Sequence, residues 1–373
     1  VAILSTRIST FRLIYALAGT VLLLAAWESF AAHSFSGTTG LVRHGPVLQD
    51  ASGTDELDRA LAALPSPQAP RVVLLGSSQI DVVKDGAGED KAIPFRLSAA
   101  LQAAGVGHEI LDLSAGGQQI LESLVILVGS AARTRPRAVV IAAGLFSMLR
   151  ADVRESLPAA VDMAAVRAAV ADPSLLPDPD ARKDLLGALP APGTAGDRTV
   201  QDRIDARLST FLAARLVMVD RRRVMFKALL DNPIRRDLVA LVQRHSEGSR
   251  TARTFEIGGP YALGLASLEV MARWSARRHL PCVLVVMPFE STREPLLYSP
   301  STQRRVAGDL RALAARTGAS FLDLGGALQP SDYGTFVDGS PDNLHFGARG
   351  HDVVGRAVAD VLGPLLGSGP RVP

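Results

Sequence analysis

From Arg71 onward the chain alternates short, unbroken apolar runs with longer stretches whose apolar residues recur at helical spacing. "RVVLLG" (71–76) is followed by the helical "AIPFRLSAALQAAG" (92–105), "HEILDLS" (108–114) by "QQILESLVILVGSAART" (118–134), and a third run, "RAVVIAAG", closes at Gly144. The order resumes late with the helix "LASLEVMARWSARRH" (265–279), the run "PCVLVVMP" (281–288), the helix "STQRRVAGDLRALAARTG" (301–318), the run "ASFLDL" (319–324) and a last helix over Ala348 to Leu366. Apolar runs of four to eight residues without polar alternation fit strands covered on both faces, and helices between them make βαβ units. The pattern predicts an α/β fold: a three-layer α/β/α sandwich on a five-stranded parallel sheet, built from residues 71–149 and 260–368.

The remaining segments are patterned differently. Residues 150–259 contain no convincing strand and read as a helical insertion. Its first part is acidic and Pro-rich ("LLPDPDARKDLLGALPAPG", 175–193); its second, from Arg203 to Arg253, is basic, with spacings suited to amphipathic helices. It reads as a solvated cap or as a surface for anionic lipid headgroups or an acidic envelope polymer. Residues 33–70, rich in Gly, Ser, Thr and Pro, read as a tether with a short helix over Asp55 to Leu64. Within residues 1–32 an uncharged run from Leu13 to Trp27 lies behind Arg7 and Arg12 and ahead of Glu28, Asp50, Asp55 and Glu56, with Tyr15 and Trp27 at interfacial positions. This predicts an N-terminal transmembrane helix, single-pass in the inner (cytoplasmic) membrane, with the folded domain on the periplasmic or extracellular side. The competing reading is a signal peptide cleaved near Ala31 and Ala32.

Composition narrows the function classes. The 373 residues, 47% hydrophobic and 21% charged, are globular in character, and a formal net charge of +3 with 5% aromatics argues against a nucleic-acid partner. The single cysteine, Cys282, excludes an intramolecular disulfide framework and a cysteine-based zinc site.

The chemistry gathers at the carboxyl ends of the runs, where open α/β sheets place groups that act on ligands. The first run stops on Gly76, Ser77 and Ser78, which is a small-residue turn or a hydroxyl parked at the sheet edge. After the second, Gly116 and Gly117 leave a backbone amide open to an anionic oxygen. Just before the last helix, "SPDNLHFGARGHD" places Asp342 three positions from His345 in a Pro- and Gly-bounded stretch read as a loop. A serine hydroxyl attacks only with help from a base, and a carboxylate fixes that base's tautomer and steadies its charged form. The chain holds all three groups.

Together these residues resemble the SGNH, or GDSL-like, hydrolase superfamily over about Arg71 to Met148 and Ala262 to Leu366. The resemblance implies that Ser78 is the nucleophile, with Ser77 where the family has Asp. It implies Asp342 and His345 as the final block, and the amides of Ser78 and Gly117 as the oxyanion hole, Gly116 being the alternative glycine. After the third run, Gly144, Leu145 and Phe146 stand where the family commonly has Gly-x-Asn, so that oxyanion donor is missing. Serine for aspartate, the missing asparagine and an N-terminal anchor are similar to the membrane-anchored, DltD-like branch and to the partners of membrane-bound O-acyltransferases. That branch implies a serine esterase or acyltransferase working through an acyl-enzyme on O-acyl groups of a cell-envelope polysaccharide or other glycopolymer, beside an inner-membrane acyltransferase, with no cofactor and no metal. The alternative of another class is a non-catalytic scaffold of an envelope-modification complex, favoured by Phe146.

Other residues take lesser readings. Ser77, Gln79, Gly116 and Glu290 are candidate substrate contacts. Lys84, Asp81 and Asp85 read as charges at a helix start, His351 as a surface or capping histidine, and Asp323 as a loop anchor or an alternative carboxylate for His345. A phosphate- or nucleotide-binding flavodoxin-like domain at Gly76 to Ser78 would leave the Asp342 and His345 pair without a use.

Overall fold

The computed structural model describes residues 41–50, 69–84, 89–154, 157–190, 259–290, 299–335 and 341–367, with isolated positions at 61, 64, 67 and 292. The expected anchor over 1–32, the helix over 55–64 (but for Leu61 and Leu64) and the basic part of the insertion lie outside the described residues. Among the described residues no helix is long and apolar enough to cross a membrane.

Each apolar run becomes a strand: β3 (Arg71–Leu75), β4 (Glu109–Asp112), β5 (Pro136–Ala143), β6 (Cys282–Val286) and β7 (Ser320–Asp323). They pair in parallel in the order β4-β3-β5-β6-β7, with Val72 opposite Ile110, Val139 opposite Val73 and Leu284 opposite Phe321. The chain therefore runs outward in both directions from β3 and β5, and their carboxyl ends flank the crevice at the switch in strand order.

The five expected strands are extended by two more. Leu41–His44 (β1) and Val47–Asp50 (β2) form an antiparallel hairpin around Gly45, and β2 pairs in parallel with β4, giving a seven-stranded sheet. This corrects the reading of 33–70 as tether throughout. Two four-residue strands split by a Gly-Pro turn carry too short a hydrophobic run to stand out from a polar, Gly-rich surrounding. Arg43 of this hairpin reaches Glu109 at 2.5 Å, and the fully buried Arg71 pairs with the same carboxylate.

Alternate residues of each strand feed two cores. Val73, Leu75, Val139, Ile141 and Leu284 face one side, where α2 (Ile120–Thr134), α6 (Gly259–Arg277) and α7 (Pro300–Thr317) pack. Val72, Leu74, Val140, Val283 and Val285 face the other, against α1 (Ile93–Ala103) and α8 (Ala348–Gly367). That two-sided burial is why the runs show no polar alternation.

The first part of the insertion is helical, as expected, over α3 (Leu157–Ala160), α4 (Met163–Ala171) and α5 (Pro179–Ala188), but it is not a separate cap. Leu157, Val166, Val170, Leu175 and Leu185 join the same core as α2, in one compact unit with the sheet. Covered by the sheet below and by these helices above, α2 buries every residue from Ile120 to Ser130, which explains a helix that is apolar nearly all round.

A small second sheet completes the unit. Tyr333–Thr335 (β8) pairs antiparallel with Pro341–Phe346 (β9), so the stretch read as a loop around Asp342 and His345 is an irregular strand.

Candidate active site

Ser78 sits in a tight turn directly after β3. The turn is closed by the Ile80 N–H donating to Ser77 O and the Val82 N–H to Ser78 O, each at 3.0 Å, and it opens no helix; α1 begins only at Ile93. On β9, Tyr333 pairs with Phe346 and Thr335 with Pro341, so two steps on one strand oppose five on the other and the intervening residues are forced out of the ladder. Asp342 shapes that bulge. Its Oδ1 accepts the Leu344 N–H at 3.1 Å and the His345 N–H at 3.0 Å, bending the backbone so that residues three apart, which diverge in a regular strand, come together.

The result is a continuous polar row. Ser78 Oγ lies 2.8 Å from His345 Nε2 across 267 positions of sequence, and His345 Nδ1 lies 2.8 Å from Asp342 Oδ2. Asp342 is 1% exposed and His345 18%, so the carboxylate is sealed while the imidazole edge meets solvent. Burial works against the Asp342 charge, but the hydrogen bonds from the His345 ring and backbone, the imidazole's charge and the Leu344 N–H outweigh it and hold the carboxyl well below the usual carboxylate range. An ionised carboxylate on Nδ1 fixes the proton there and leaves Nε2 as an acceptor for the serine hydroxyl.

The glycine pair lies in the loop after β4, beside the serine. The Ala115 N–H donates to Gly76 O at 3.2 Å and ties this loop to the end of β3. Gly117 is exposed and has φ +70°, a conformation that side chains resist, and Gly116 precedes it. Both carbonyls are held from behind: Gly117 O by Gln119 Nε2 at 2.7 Å and Gly116 O by Arg154 Nη2 at 2.7 Å. Arg154 is in turn anchored on buried Glu122, whose Oε1 accepts the Arg154 N–H at 3.2 Å and lies 3.5 Å from Nε. Burial raises the Glu122 carboxyl above its usual range, and Arg154 opposes that rise. Arg154→Met is therefore expected to lower kcat roughly tenfold with little change in KM, because it loosens the backbone that would face the oxyanion. Steady-state kinetics on a soluble ester check this, and a variant with wild-type kcat would remove Arg154 from the loop's support.

Three candidate substrate contacts are engaged with the protein itself. Gln79 points inward and donates through Nε2 to Pro288 O at 2.9 Å and Leu344 O at 3.0 Å, joining the serine turn to the ends of β6 and β9. Glu290 is buried, its Oε1 accepting the Thr292 N–H at 2.6 Å and its own N–H donating to Asn343 O at 3.0 Å. Gly116 gives its carbonyl to Arg154. Ser77 is half-buried beside Ser78.

Other readings also change. His351 is fully buried in α8, its ring 4.7 Å from Phe346 and its Nε2 3.1 Å from Val82 O, which corrects the surface or capping assignment. Asp323 caps its own turn through the Gly325 N–H at 3.1 Å and faces Arg311 at 3.7 Å, and is no partner of His345. Lys84 is not a helix-start charge: its Nζ lies 3.2 Å from Asp342 Oδ2. The only sequence signal for it was a cation six positions beyond the serine.

At the end of β5 the Gly144-Leu145-Phe146 stretch forms a short 3-10 turn, Leu145–Met148, with Phe146 46% exposed and no side-chain amide to serve as a donor. Among the described residues, no cluster of three or more His, Cys, Asp or Glu side chains is placed to hold a metal ion.

No protein-family model matches the chain. No curated protein matches it either. Among solved structures it is similar to a GDSL-like lipase from Bacteroides thetaiotaomicron, at 11% identity over 82% of this chain and 94% of that one with a TM-score of 0.38. It is also similar to a lipase/acylhydrolase from Enterococcus faecalis, at 13% identity over 79% and 96% with a TM-score of 0.37. An acetylxylan esterase from Geobacillus stearothermophilus gives 11% identity over 80% and 95%, with a TM-score of 0.39.

Proposed function

We propose that this chain is an SGNH-type serine esterase. One observation carries the reading: the hydrogen-bonded row Ser78, His345 and Asp342 at the carboxyl edge of the sheet. Ser78 Oγ attacks an ester carbonyl carbon while His345 Nε2 takes its proton. The tetrahedral oxyanion faces the amides of Ser78 and Gly117. Its collapse breaks the bond to the leaving alcohol, which receives the proton back from His345. Water, deprotonated by the same nitrogen, then attacks the acyl-enzyme; the bond to Ser78 Oγ breaks, Oγ takes the proton back from His345, and the acid leaves.

The finer reading is a membrane-tethered enzyme outside the cytoplasm, acting on O-acyl groups of an envelope glycopolymer. The apolar run behind Arg7 and Arg12 supports the tether, and the pattern shared with the DltD-like branch supports the substrate class. In that setting a sugar hydroxyl replaces water in the second half-reaction, making the same residues an acyltransferase. The missing side-chain donor after β5 fits an activated acyl donor, because loss of one such donor costs about 10²–10³ in rate on an ordinary ester.

The test is labelling of the full chain with a fluorophosphonate probe, alongside turnover of a p-nitrophenyl acyl ester. Labelling and turnover that vanish in Ser78→Ala support the esterase. A folded wild-type chain that neither labels nor turns over would end it in favour of the scaffold reading.

A further inference from the structure

We propose that Lys84 is a positioning residue that tunes the base, its ammonium on Asp342 keeping His345 able to accept a proton in more acidic conditions than a carboxylate and imidazole alone would allow. The inference rests on the esterase reading for its kinetic expression and on geometry for its cause.

Lys84 is held as part of the site. Its N–H donates to Phe346 O at 3.2 Å, one residue beyond His345. Its stem runs against β8 so closely that a Cβ at Gly334 would lie 2.3 Å from Lys84 Cβ, leaving glycine as the residue that fits opposite it. The side chain is 26% exposed, and Nζ sits 3.2 Å from the same Oδ2 that takes the His345 ring at 2.8 Å.

A cation at that oxygen offsets part of the charge that would otherwise stabilise the imidazolium, while leaving the carboxylate ionised to orient the ring. Two roles that a lone aspartate couples, orienting the neutral base and stabilising its charged form, are thereby separated. The elements packed around the pair bring other ionisable groups: Asp81 from the serine turn, Glu290 beyond β6, Asp332 and Tyr333 at the start of β8, and His351 on α8. Asp332 is engaged by Arg349 at 3.3 Å and by the Gln329 N–H at 2.8 Å, and His351 by Val82 O.

The experiment compares kcat/KM against pH for the wild type, Lys84→Met and Lys84→Arg. Lys84→Met, which keeps most of the stem and loses the charge, should move the acid limb upward by about 0.5–1 pH unit with the high-pH plateau within a few-fold of wild type; Lys84→Arg should leave the limb in place. A limb that does not move in Lys84→Met, or moves as far in Lys84→Arg, overturns the proposal. NMR titration of the His345 ring in a Ser78→Ala background, with and without Lys84→Met, reads the same shift without turnover. A chain that proves inactive sinks the esterase reading while this arm still decides the role of Lys84. Lys84→Gln serves in both arms should the methionine variant not fold.

Discussion

Asp342→Asn is expected to lower kcat by about three to four orders of magnitude while binding of a small ester changes little. In the native row the ionised Oδ2 accepts the hydrogen bond of His345 Nδ1–H, so Nε2 faces Ser78 as an acceptor. An asparagine in the same rotamer either turns its NH₂ toward Nδ1, which places the ring proton on Nε2 and removes the base, or turns its oxygen there and offers no charge to the imidazolium. It also leaves the Lys84 ammonium facing a neutral group. The same substitution changes stability with a definite sign. Asp342 is held below its usual value in the folded chain, so its contribution is present in full above the unfolded value near 3.8 and is lost as pH falls through the lower folded value. Urea unfolding of the two proteins should therefore show a wild-type advantage that narrows as pH falls below about 4. A gap that widens as pH falls below about 4, or a variant with kcat within tenfold of wild type, would contradict the assigned role.

The parts of this molecule that were legible in its sequence are those carried by runs long enough to register. Val72 to Leu75, Val139 to Ala143 and Val283 to Val286 are covered on both faces, so burial alone makes them continuous and apolar. The row of Ser78, His345 and Asp342 was legible for a different reason: these are residue types whose combined chemistry has few other uses, and the end of the first apolar run and the stretch before the last helix locate them without knowledge of the path between. The β1–β2 hairpin was not legible because four-residue strands leave no periodic signal, and its place in the sheet depends on β4, where Val47 pairs with Ile110. Nor was Lys84. A lysine near a serine says nothing until β8 and β9 return, 250 positions later, to press on its stem and set Asp342 before its ammonium. Side chains that hold backbone rather than substrate, such as Gln79 and Arg154, leave no mark in composition or spacing, since their partners are carbonyls that every residue has.

Gln79 gives the second large effect. Its Nε2 is the common donor to Pro288 O and Leu344 O, so one buried amide fastens the residue after Ser78 both to the segment just beyond β6 and to the residue before His345. Gln79→Leu keeps the approximate volume and removes the donor, leaving the Pro288 and Leu344 carbonyls without it. Each such group costs about 1–3 kcal/mol, and the two share one site, so a combined loss of about 2–4 kcal/mol is expected in urea unfolding. Activity should fall as well, by about 10- to 100-fold in kcat at temperatures where the variant is still folded, because the 2.8 Å approach of Ser78 Oγ to His345 Nε2 depends on two segments that this amide joins. Gln79→Glu separates the two effects. A carboxylate has no proton to give either carbonyl near neutral pH and repels both, so it should destabilise more than leucine there and recover as acidification makes it a donor. If Gln79→Leu unfolds at the same urea concentration as the wild type, or loses stability while keeping full kcat, the amide does not hold the catalytic row together.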